Sequence, residues 1–498
     1  MATLEALITG LPHERLQGSS TCTIAAVTSD SRKVEPGWAF VAIQGERTDG
    51  YTYIAQALAR GAVALVVDRP FDCSSAPHVT CVRVPDTRRA LAQLAGAFYG
   101  HPSERLYLIG VTGTNGKTTS TYLLEAVLRA HGATPGVIGT VTYRYAGREQ
   151  PASQTTPAPE DLQHLLREMV EAGVTHCVME VSSHALAQDR VWGCRFAAAL
   201  FTNLTQDHLD YHADMAAYYA AKARLFTAYQ PGVAILNRDD PAGETLRRET
   251  PGPVITYGFS PEADVGVHHL EMDAEGITLT VRIQGQCHSL RSRLIGRHNV
   301  YNILGTLAAA HGSALDLKRT IVGIEQLTTV PGRFERVDAG QPFTVLVDYA
   351  HTDDALRNVL HAARGIATGR VIAVFGAGGD RDRSKRPKMG RIAADYADIA
   401  VITSDNPRTE PPMAIIRAIE AGYLESGQTS QYHVIADRAQ AIHEAIGVAR
   451  IGDVVVIAGK GHETYQIIGN ERIPFDDRQV AMTALFGLGF AATSTAPI

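Results

Sequence analysis

Hydrophobic positions follow two rhythms along the chain. Short, nearly continuous apolar runs alternate with longer stretches in which apolar residues recur every three or four positions. The first rhythm belongs to strands buried on both faces of a parallel sheet, the second to the helices that cover it. Runs at 38–43 and 62–67, with a helical pattern at 53–59 between them, predict a small α/β unit over residues 1–98. Runs at 106–111, 176–181 and 197–204 predict the buried sheet of a second unit, over 99–331. Residues 276–294 alternate and predict a hairpin at that unit's edge, and Arg297-His298-Asn299 then caps a helix at 300–310. Val330-Pro331-Gly332 punctuates the chain. A third unit, 332–498, follows with strands at 344–347, 371–375, 399–402 and 454–457. A packed helix with a loose tail is expected from residue 479 onward. The fold class predicted is three-domain α/β, with a central phosphate-loop domain built on a parallel sheet and a Rossmann-like C-terminal domain.

Composition narrows the function more than the fold. A 498-residue chain with 45% hydrophobic and 20% charged residues is an ordinary globular protein, and a net charge of −6 gives no electrostatic footprint for nucleic acid. Six cysteines, at 22, 73, 81, 177, 194 and 287, form no Cys-x-x-Cys pair, which argues against a zinc ribbon or disulfide framework and suits a reducing cytoplasm. The N-terminal stretch lacks the basic region of a secretory signal, and the uncharged segment from Gln479 on is too short and glycine-broken to span a membrane.

The polar residues that end the predicted strands carry the chemistry. The run at 106–111 leads into Gly113-Thr114-Asn115-Gly116-Lys117-Thr118-Thr119, a glycine-rich turn that opens a helix. Backbone N–H groups in such a turn cradle phosphates. Lys117 would reach the β- and γ-phosphates and the Thr118 hydroxyl a Mg²⁺ ion. The general pattern wants glycine where Val111 stands. Two further strands end at Glu180-Val-Ser182-Ser183-His184 and Asn203…Asp207-His208. Ligands of open parallel sheets lie beyond such carboxyl ends, so Lys117, Glu180 and His208 converge on one edge. Glu180 offers hard oxygen to Mg²⁺, or else caps a helix. His208 and His212 are four apart, but Leu209 stands where a zinc hydrolase needs glutamate. Spacing alone leaves Lys222 as a surface lysine. In the third unit the strand ends are Asp348-Tyr-Ala-His351, Gly376-Ala-Gly-Gly-Asp380-Arg381, Asp405-Asn406-Pro407-Arg408 and Gly459-Lys460-Gly-His-Glu463. The charged run from Asp380 to Lys388 reads as a solvated loop, or as a place where one or two cations hold a carboxylate.

Taken with Asp30-Ser31-Arg32, Thr155-Thr156-Pro157, His298-Asn299 and Pro331-Gly-Arg333-Phe-Glu, these motifs resemble the Mur ligases along the whole chain, most closely the branch that adds the third amino acid to a UDP-MurNAc peptide. Val111 matches that family's own phosphate loop. The resemblance implies an ATP-dependent amide ligase of peptidoglycan precursor synthesis, cytoplasmic and monomeric, joining UDP-MurNAc-L-Ala-D-Glu to meso-diaminopimelate with two Mg²⁺ ions. It implies ATP contacts from residues 113–119 and from Asn299, Arg333 and Asp348. Contacts to the UDP-sugar and dipeptide fall to Ser29, Ser31, Glu46, Arg47, Thr48, Gln154, Thr155, Thr156, Ser182, Gln188 and Arg190. An amino-acid pocket is implied at Arg381, Asp405, Asn406, Pro407, Arg408, Gly459 and Glu463, with Arg408 marking diaminopimelate rather than lysine. It also implies that Lys222 is carbamylated and, with Thr118, Glu180 and His208, organises the metal ions, against the reading from spacing. A folylpolyglutamate synthetase would share the two later domains but not the first. A phosphate-loop switch ATPase would need no amino acid, and a nicotinamide dehydrogenase would rest on Gly376–Gly379 alone.

Overall fold

The computed structural model describes residues 2–45, 48–74, 76–428 and 430–491. Three sheets organise it. The N-terminal sheet orders its strands Glu14–Gln17, Thr80–Arg83, Ala64–Val67, Ala39–Val41 and Val27–Thr28, with only the first antiparallel to its neighbour. The central sheet has eleven strands. Its parallel middle runs Pro135–Ile138, His176–Glu180, Tyr107–Thr112, Ala198–Phe201, Val233–Asn237 and Val254–Gly258. The strands of this middle are almost wholly buried, which is why they read as continuous apolar runs rather than alternating ones.

The predicted hairpin is present as Gly276–Ile283 and Gln286–Ser292, and Val265–Asp273 pairs with its first strand to complete an antiparallel edge. Thr142–Tyr145 and Arg148–Pro151 form a second hairpin at the opposite edge. Helices Lys117–Ala130 and Arg297–Gly312 share one core beneath the sheet, through Leu123, Leu124 and Val127 and through Ile303 and Leu307. The second of these helices starts earlier than expected. Gly296, at φ +93°, is its N-cap, and Arg297, His298 and Asn299 form its first turn. No side chain caps it; the Asn299 amide instead donates back to the Ile295 carbonyl at 2.8 Å.

The C-terminal sheet runs Glu335–Val337, Thr344–Asp348, Val454–Ala458, Val371–Phe375, Ile399–Ile402 and Gln431–Val434. The first pairing is antiparallel and the rest parallel. The edge strands Glu335–Val337 and Gln431–Val434 lack a continuous apolar run, which hid them in the sequence. The last helix, Asp477–Gly487, begins two residues earlier than expected because Asp476 caps it, accepting from the Arg478 N–H. The expected loose tail falls mostly on residues 492–498, outside the described residues. Among the described residues no helix is long and apolar enough to cross a membrane.

Candidate active site

The phosphate loop is held open by its neighbours. Gly113 has φ +145°, and a Cβ there would sit 1.9 Å from Thr202 Oγ1; at Gly116, with φ +87°, it would meet Asn302 Oδ1 at 2.4 Å. Only glycine fits at either position. The adjacent strand end pins the turn. The Thr114 N–H donates to the Asn203 carbonyl at 2.9 Å, the Asn115 N–H donates to Asn203 Oδ1 at 2.9 Å, and Thr202 Oγ1 donates to the Asn115 carbonyl at 2.6 Å. Thr118 and Thr119 are buried in the first helical turn.

Two lysines meet at this loop. Lys117 Nζ folds back and donates to the carbonyls of Gly113 and Thr114, both at 2.8 Å. Lys222 Nζ donates to the same Gly113 carbonyl at 2.8 Å and lies 4.5 Å above the Tyr218 ring. Lys222 is 1% exposed, so the reading from spacing as a surface lysine is wrong. Its helix, Met215–Thr227, is capped by Asp214 and buries Tyr218, Lys222, Leu225 and Phe226, one face at helical spacing. Burial, and secondarily the charge of Lys117, holds the Lys222 pKa well below that of free lysine. Burial also lowers Lys117, while Glu180 and Asp207 act in the opposite sense on it.

Glu180 is fully buried at its strand end. Its carboxylate accepts from the Thr140 N–H at 2.9 Å and the Thr140 hydroxyl at 2.8 Å, one bond per oxygen. A lone pair remains free on each. Thr140 was missed in the sequence, although Gly139-Thr140 follows the strand Pro135–Ile138 as the other polar residues follow theirs. His208 sits at φ +55° with its ring 4.8 Å from that of His184, and burial lowers its pKa. His212 bonds Ser183 Oγ at 3.0 Å. Among the described residues no three His, Cys, Asp or Glu side chains form a cage for a metal. The available set is a hydroxyl at Thr118, a carboxylate at Glu180 and an imidazole at His208. It fits Mg²⁺, which keeps several waters and takes the rest of its oxygens from substrate phosphates.

Next to this edge lies a polar strip. Arg190 donates to Gln188 Oε1 at 2.9 and 2.7 Å, to the Thr156 carbonyl at 2.9 Å, and to Gln154. Thr156 Oγ1 donates to the Glu180 carbonyl at 2.8 Å and accepts from the Ser182 N–H at 3.1 Å. Thr155 Oγ1 pairs with Thr140 Oγ1 at 3.1 Å. The strip thus brings Gln154, Thr155, Thr156, Ser182, Gln188 and Arg190 beside Glu180. Ser29 and Ser31 belong to the first domain. The Ser29 N–H and hydroxyl both donate to Glu160 of the central domain, at 3.2 and 3.3 Å, and Ser31 Oγ donates to Gln56 at 2.7 Å. Thr48 is exposed, and Glu46 and Arg47 lie outside the described residues.

The C-terminal domain reaches the loop through one side chain. Arg333 Nη2 donates to Thr118 Oγ1 at 3.2 Å, with its guanidinium 4.8 Å from the Tyr349 ring centre. Asp348 accepts from the N–H groups of Phe334 at 2.7 Å and Ala350 at 2.8 Å; burial raises its pKa, and Arg333 opposes that rise. Asn299 accepts from Asn302 Nδ2 at 2.9 Å, and Asn302 in turn abuts Gly116. Asn302 is thus a loop contact that the sequence reading missed, and its place one turn after Asn299 was the available signal.

The other strand ends of that domain gather a second cluster. Lys460, fully buried, donates to Glu463 at 3.0 Å and Asn406 Oδ1 at 3.1 Å and lies 4.0 Å from Asp405 Oδ1. Asp405 Oδ1 is buried without a hydrogen-bond partner. Arg408 stands at φ +52°. Its N–H donates to the Ile467 carbonyl at 3.1 Å, its carbonyl accepts from Gly469 at 2.8 Å, and its Nη1 donates to the Gly379 carbonyl at 2.7 Å. Pro407 also packs on Gly379, where a Cβ would lie 1.8 Å from the Pro407 oxygen. Gly459, at φ +122°, faces Asp405. In the charged run the cations divide. Arg386 is buried on Glu410 at 2.8 Å, Lys385 donates to the His351 carbonyl at 2.9 Å, and Arg381 is exposed.

A phosphate loop on one parallel sheet, reached by an arginine from a second α/β domain, defines a multidomain nucleotide-binding enzyme. The chain matches the Mur ligase family catalytic domain over residues 23–99, the Mur ligase middle domain over 111–310 and the glutamate ligase domain of Mur ligases over 332–461. It is 47% identical over 489 residues, 97% of this chain and 99% of the relative, to UDP-N-acetylmuramoyl-L-alanyl-D-glutamate--2,6-diaminopimelate ligase of Geobacillus thermodenitrificans. It is 48% identical to the protein of the same name from Solibacter usitatus, over 97% of this chain and 98% of that one. A solved structure bearing that name superposes with a TM-score of 0.71 at 33% identity, covering 98% of this chain and 99% of its own. The chain belongs to the Mur ligase family.

Proposed function

We propose that this chain joins meso-diaminopimelate to the γ-carboxylate of D-Glu in UDP-MurNAc-L-Ala-D-Glu, with conversion of ATP to ADP and phosphate, as a cytoplasmic step of peptidoglycan precursor synthesis. The observation that carries the reading is the pairing of a phosphate site with a charged cluster at the strand ends of the C-terminal sheet. One is the Lys117–Thr118 loop with Arg333 upon it, the other the Arg408 and Asp405 cluster. A ligase that spends ATP to join an amino acid needs both.

The chemistry follows from the parts. A carboxylate is a poor electrophile, so the γ-phosphoryl of ATP is first transferred to the D-Glu carboxylate. The amine of diaminopimelate then attacks the acyl phosphate carbon, phosphate leaves, and the amine loses a proton. The first step brings anion against anion. Lys117 and Arg333 offset that repulsion, and the loop N–H groups fix the phosphates. Two Mg²⁺ ions, held by Thr118, Glu180 and His208, would supply further charge neutralisation there. Lys222 is read as a carbamate: burial lowers its pKa and so favours the neutral amine, which attacks CO₂ and releases a proton, becoming an anion beside Lys117. The strip from Gln154 to Arg190 would align the dipeptide. A cleft of about 420 Å³ at the strand ends of the first domain, lined by Gln44, Asp68, Asp86 and Arg88, would take the nucleotide-sugar end.

In the amino-acid cluster, Glu463 accepts from Lys460 and Asn406, whereas Asp405 Oδ1 takes no hydrogen bond and has Lys460 only at 4.0 Å, so it is the acceptor offered to the distal ammonium. Arg408 would fork onto the adjacent carboxylate. The test is ADP release and product mass in reactions lacking each substrate in turn. Release must require both the UDP-dipeptide and diaminopimelate; ATP turnover without the amino acid would refute the reading.

A further inference from the structure

We propose that Arg438, clamped by Asp477, is the positioning residue of the amino-acid pocket, tying together the two strand ends that carry Asp405–Arg408 and Gly459–Glu463. The proposal rests on the diaminopimelate reading of that pocket. Both side chains are fully buried and form a two-point pair, Nε to Oδ1 at 2.7 Å and Nη2 to Oδ2 at 2.6 Å. Two of the remaining three donors of the guanidinium go to two carbonyls. Nη1 donates to Ser404 at 3.3 Å and Nη2 to Ala458 at 3.0 Å. Ser404 immediately precedes Asp405, and Ala458 immediately precedes Gly459.

The strands involved, Ile399–Ile402 and Val454–Ala458, are not neighbours. Val371–Phe375 lies between them, so the sheet ladder does not bond their ends to each other. Arg438 ties them at the last residue before each segment, behind the Lys460–Asn406 and Asn406–Glu463 bonds that join the segments themselves. Where a Gly459 Cβ would stand, Asp405 Oδ2 lies 3.3 Å and Arg438 Nη2 3.8 Å away, so the arginine also lines the backbone that faces Asp405. The sequence builds this from two helix starts. Arg438 and Asp477 are the first residues of helices Arg438–Gly447 and Asp477–Gly487, each capped by the preceding aspartate, Asp437 and Asp476.

Stability alone does not explain the pair, because apolar residues of similar volume commonly replace a buried ion pair without loss. An apolar pair could not donate to two carbonyls on separate strands, and lysine lacks the planar fork to do so while holding Asp477.

The test uses the full chain with Arg438→Lys and Asp477→Asn. For each, kcat and the KM of ATP, UDP-dipeptide and diaminopimelate are measured beside the melting temperature. The expected result is a KM for diaminopimelate raised at least tenfold, with the other two KM values within twofold of wild type. An unchanged KM for diaminopimelate, an equal loss on all three substrates, or failure of both variants to fold would overturn the proposal. The last would mean that the pair holds the domain rather than aims the pocket. A wild type that never turns over diaminopimelate overturns the functional reading itself, and this one with it.

Discussion

Replacing Arg408 by alanine should erase the choice between diaminopimelate and lysine while sparing the fold. The two amino acids differ by one carboxylate at the far end of the side chain. A guanidinium has five N–H donors. Arg408 spends one on the Gly379 carbonyl at 2.7 Å, and its half-buried outer edge is left for a two-point bond to that carboxylate. Losing a charged partner of this kind costs about 2–4 kcal/mol at a half-buried site, or roughly 30- to 700-fold in kcat/KM. Lysine offers no carboxylate, so its kcat/KM should move by less than about threefold.

The backbone will not confuse the result. Arginine and alanine both carry a Cβ, so φ +52° strains them alike. The loop stays pinned by its bonds to Ile467 and Gly469. Arg408→Lys keeps the charge without the fork and should fall between the two. The assay is ADP release with product identified by mass, for both amino acids and all three proteins. A variant that keeps the wild-type preference, or that loses equally on both amino acids, would refute the reasoning.

Lys117→Ala should lower kcat by roughly 10²–10³, the equivalent of about 2.7–4 kcal/mol of transition-state stabilisation, with the melting temperature nearly unchanged; near-normal turnover would remove the loop from the reaction. Lys222→Ala should be inactive and partly recover in millimolar acetate or formate, and full activity before any addition would rule out a carbamate at that position. For His462, burial first and Arg333 second lower the pKa to about 4 from an ordinary 6.5. Between those values the unfolded chain binds a proton that the folded one refuses, so stability falls as pH drops from 6.5 to 4, by on the order of 2 kcal/mol. In His462→Gln, denaturant titrations should give a flatter profile across that window, and a slope identical to wild type would place the acid sensitivity elsewhere.

How much of this was legible depended on whether a residue's partners lie beside it in sequence. The phosphate loop was readable because strand, glycines and Lys117 are consecutive. Glu180, Asp348 and Asp405 were readable because each ends an apolar run, and a parallel sheet places such ends on one edge. Lys222 was not, since its helix presents only small residues around it and the carbonyl that receives it, Gly113, is more than a hundred residues away. Arg438 and Asp477 belong to no motif and end no apolar run, and nothing local says that the two face one another. The N-cap at Gly296 was hidden because Asn299 is itself a good capping residue, yet its amide turned back to Ile295 instead.

Arg333 and the Asp405–Arg408 cluster ride on one piece of the C-terminal domain, which bears on how the proposed reaction would be timed. Gly332, at φ +64°, is packed so closely that a Cβ would lie 2.0 Å from the His462 nitrogen and 2.3 Å from the Gly461 carbonyl carbon. Its N–H donates to Glu335 at 2.6 Å. The next residue, Arg333, touches Thr118 on the phosphate loop. Gly461 and His462, in turn, lie between Lys460 and Glu463 of the amino-acid cluster. The segment proposed to meet the nucleotide and the segment proposed to hold the amino acid are therefore packed backbone against backbone, with no side chain between them to give. A shift of the C-terminal domain that seats Arg333 on the loop must carry the Asp405 and Arg408 pocket with it. Under the proposed reaction, such coupling would bring the amine to the acyl phosphate only when the arginine is in place, and so would protect that intermediate from water.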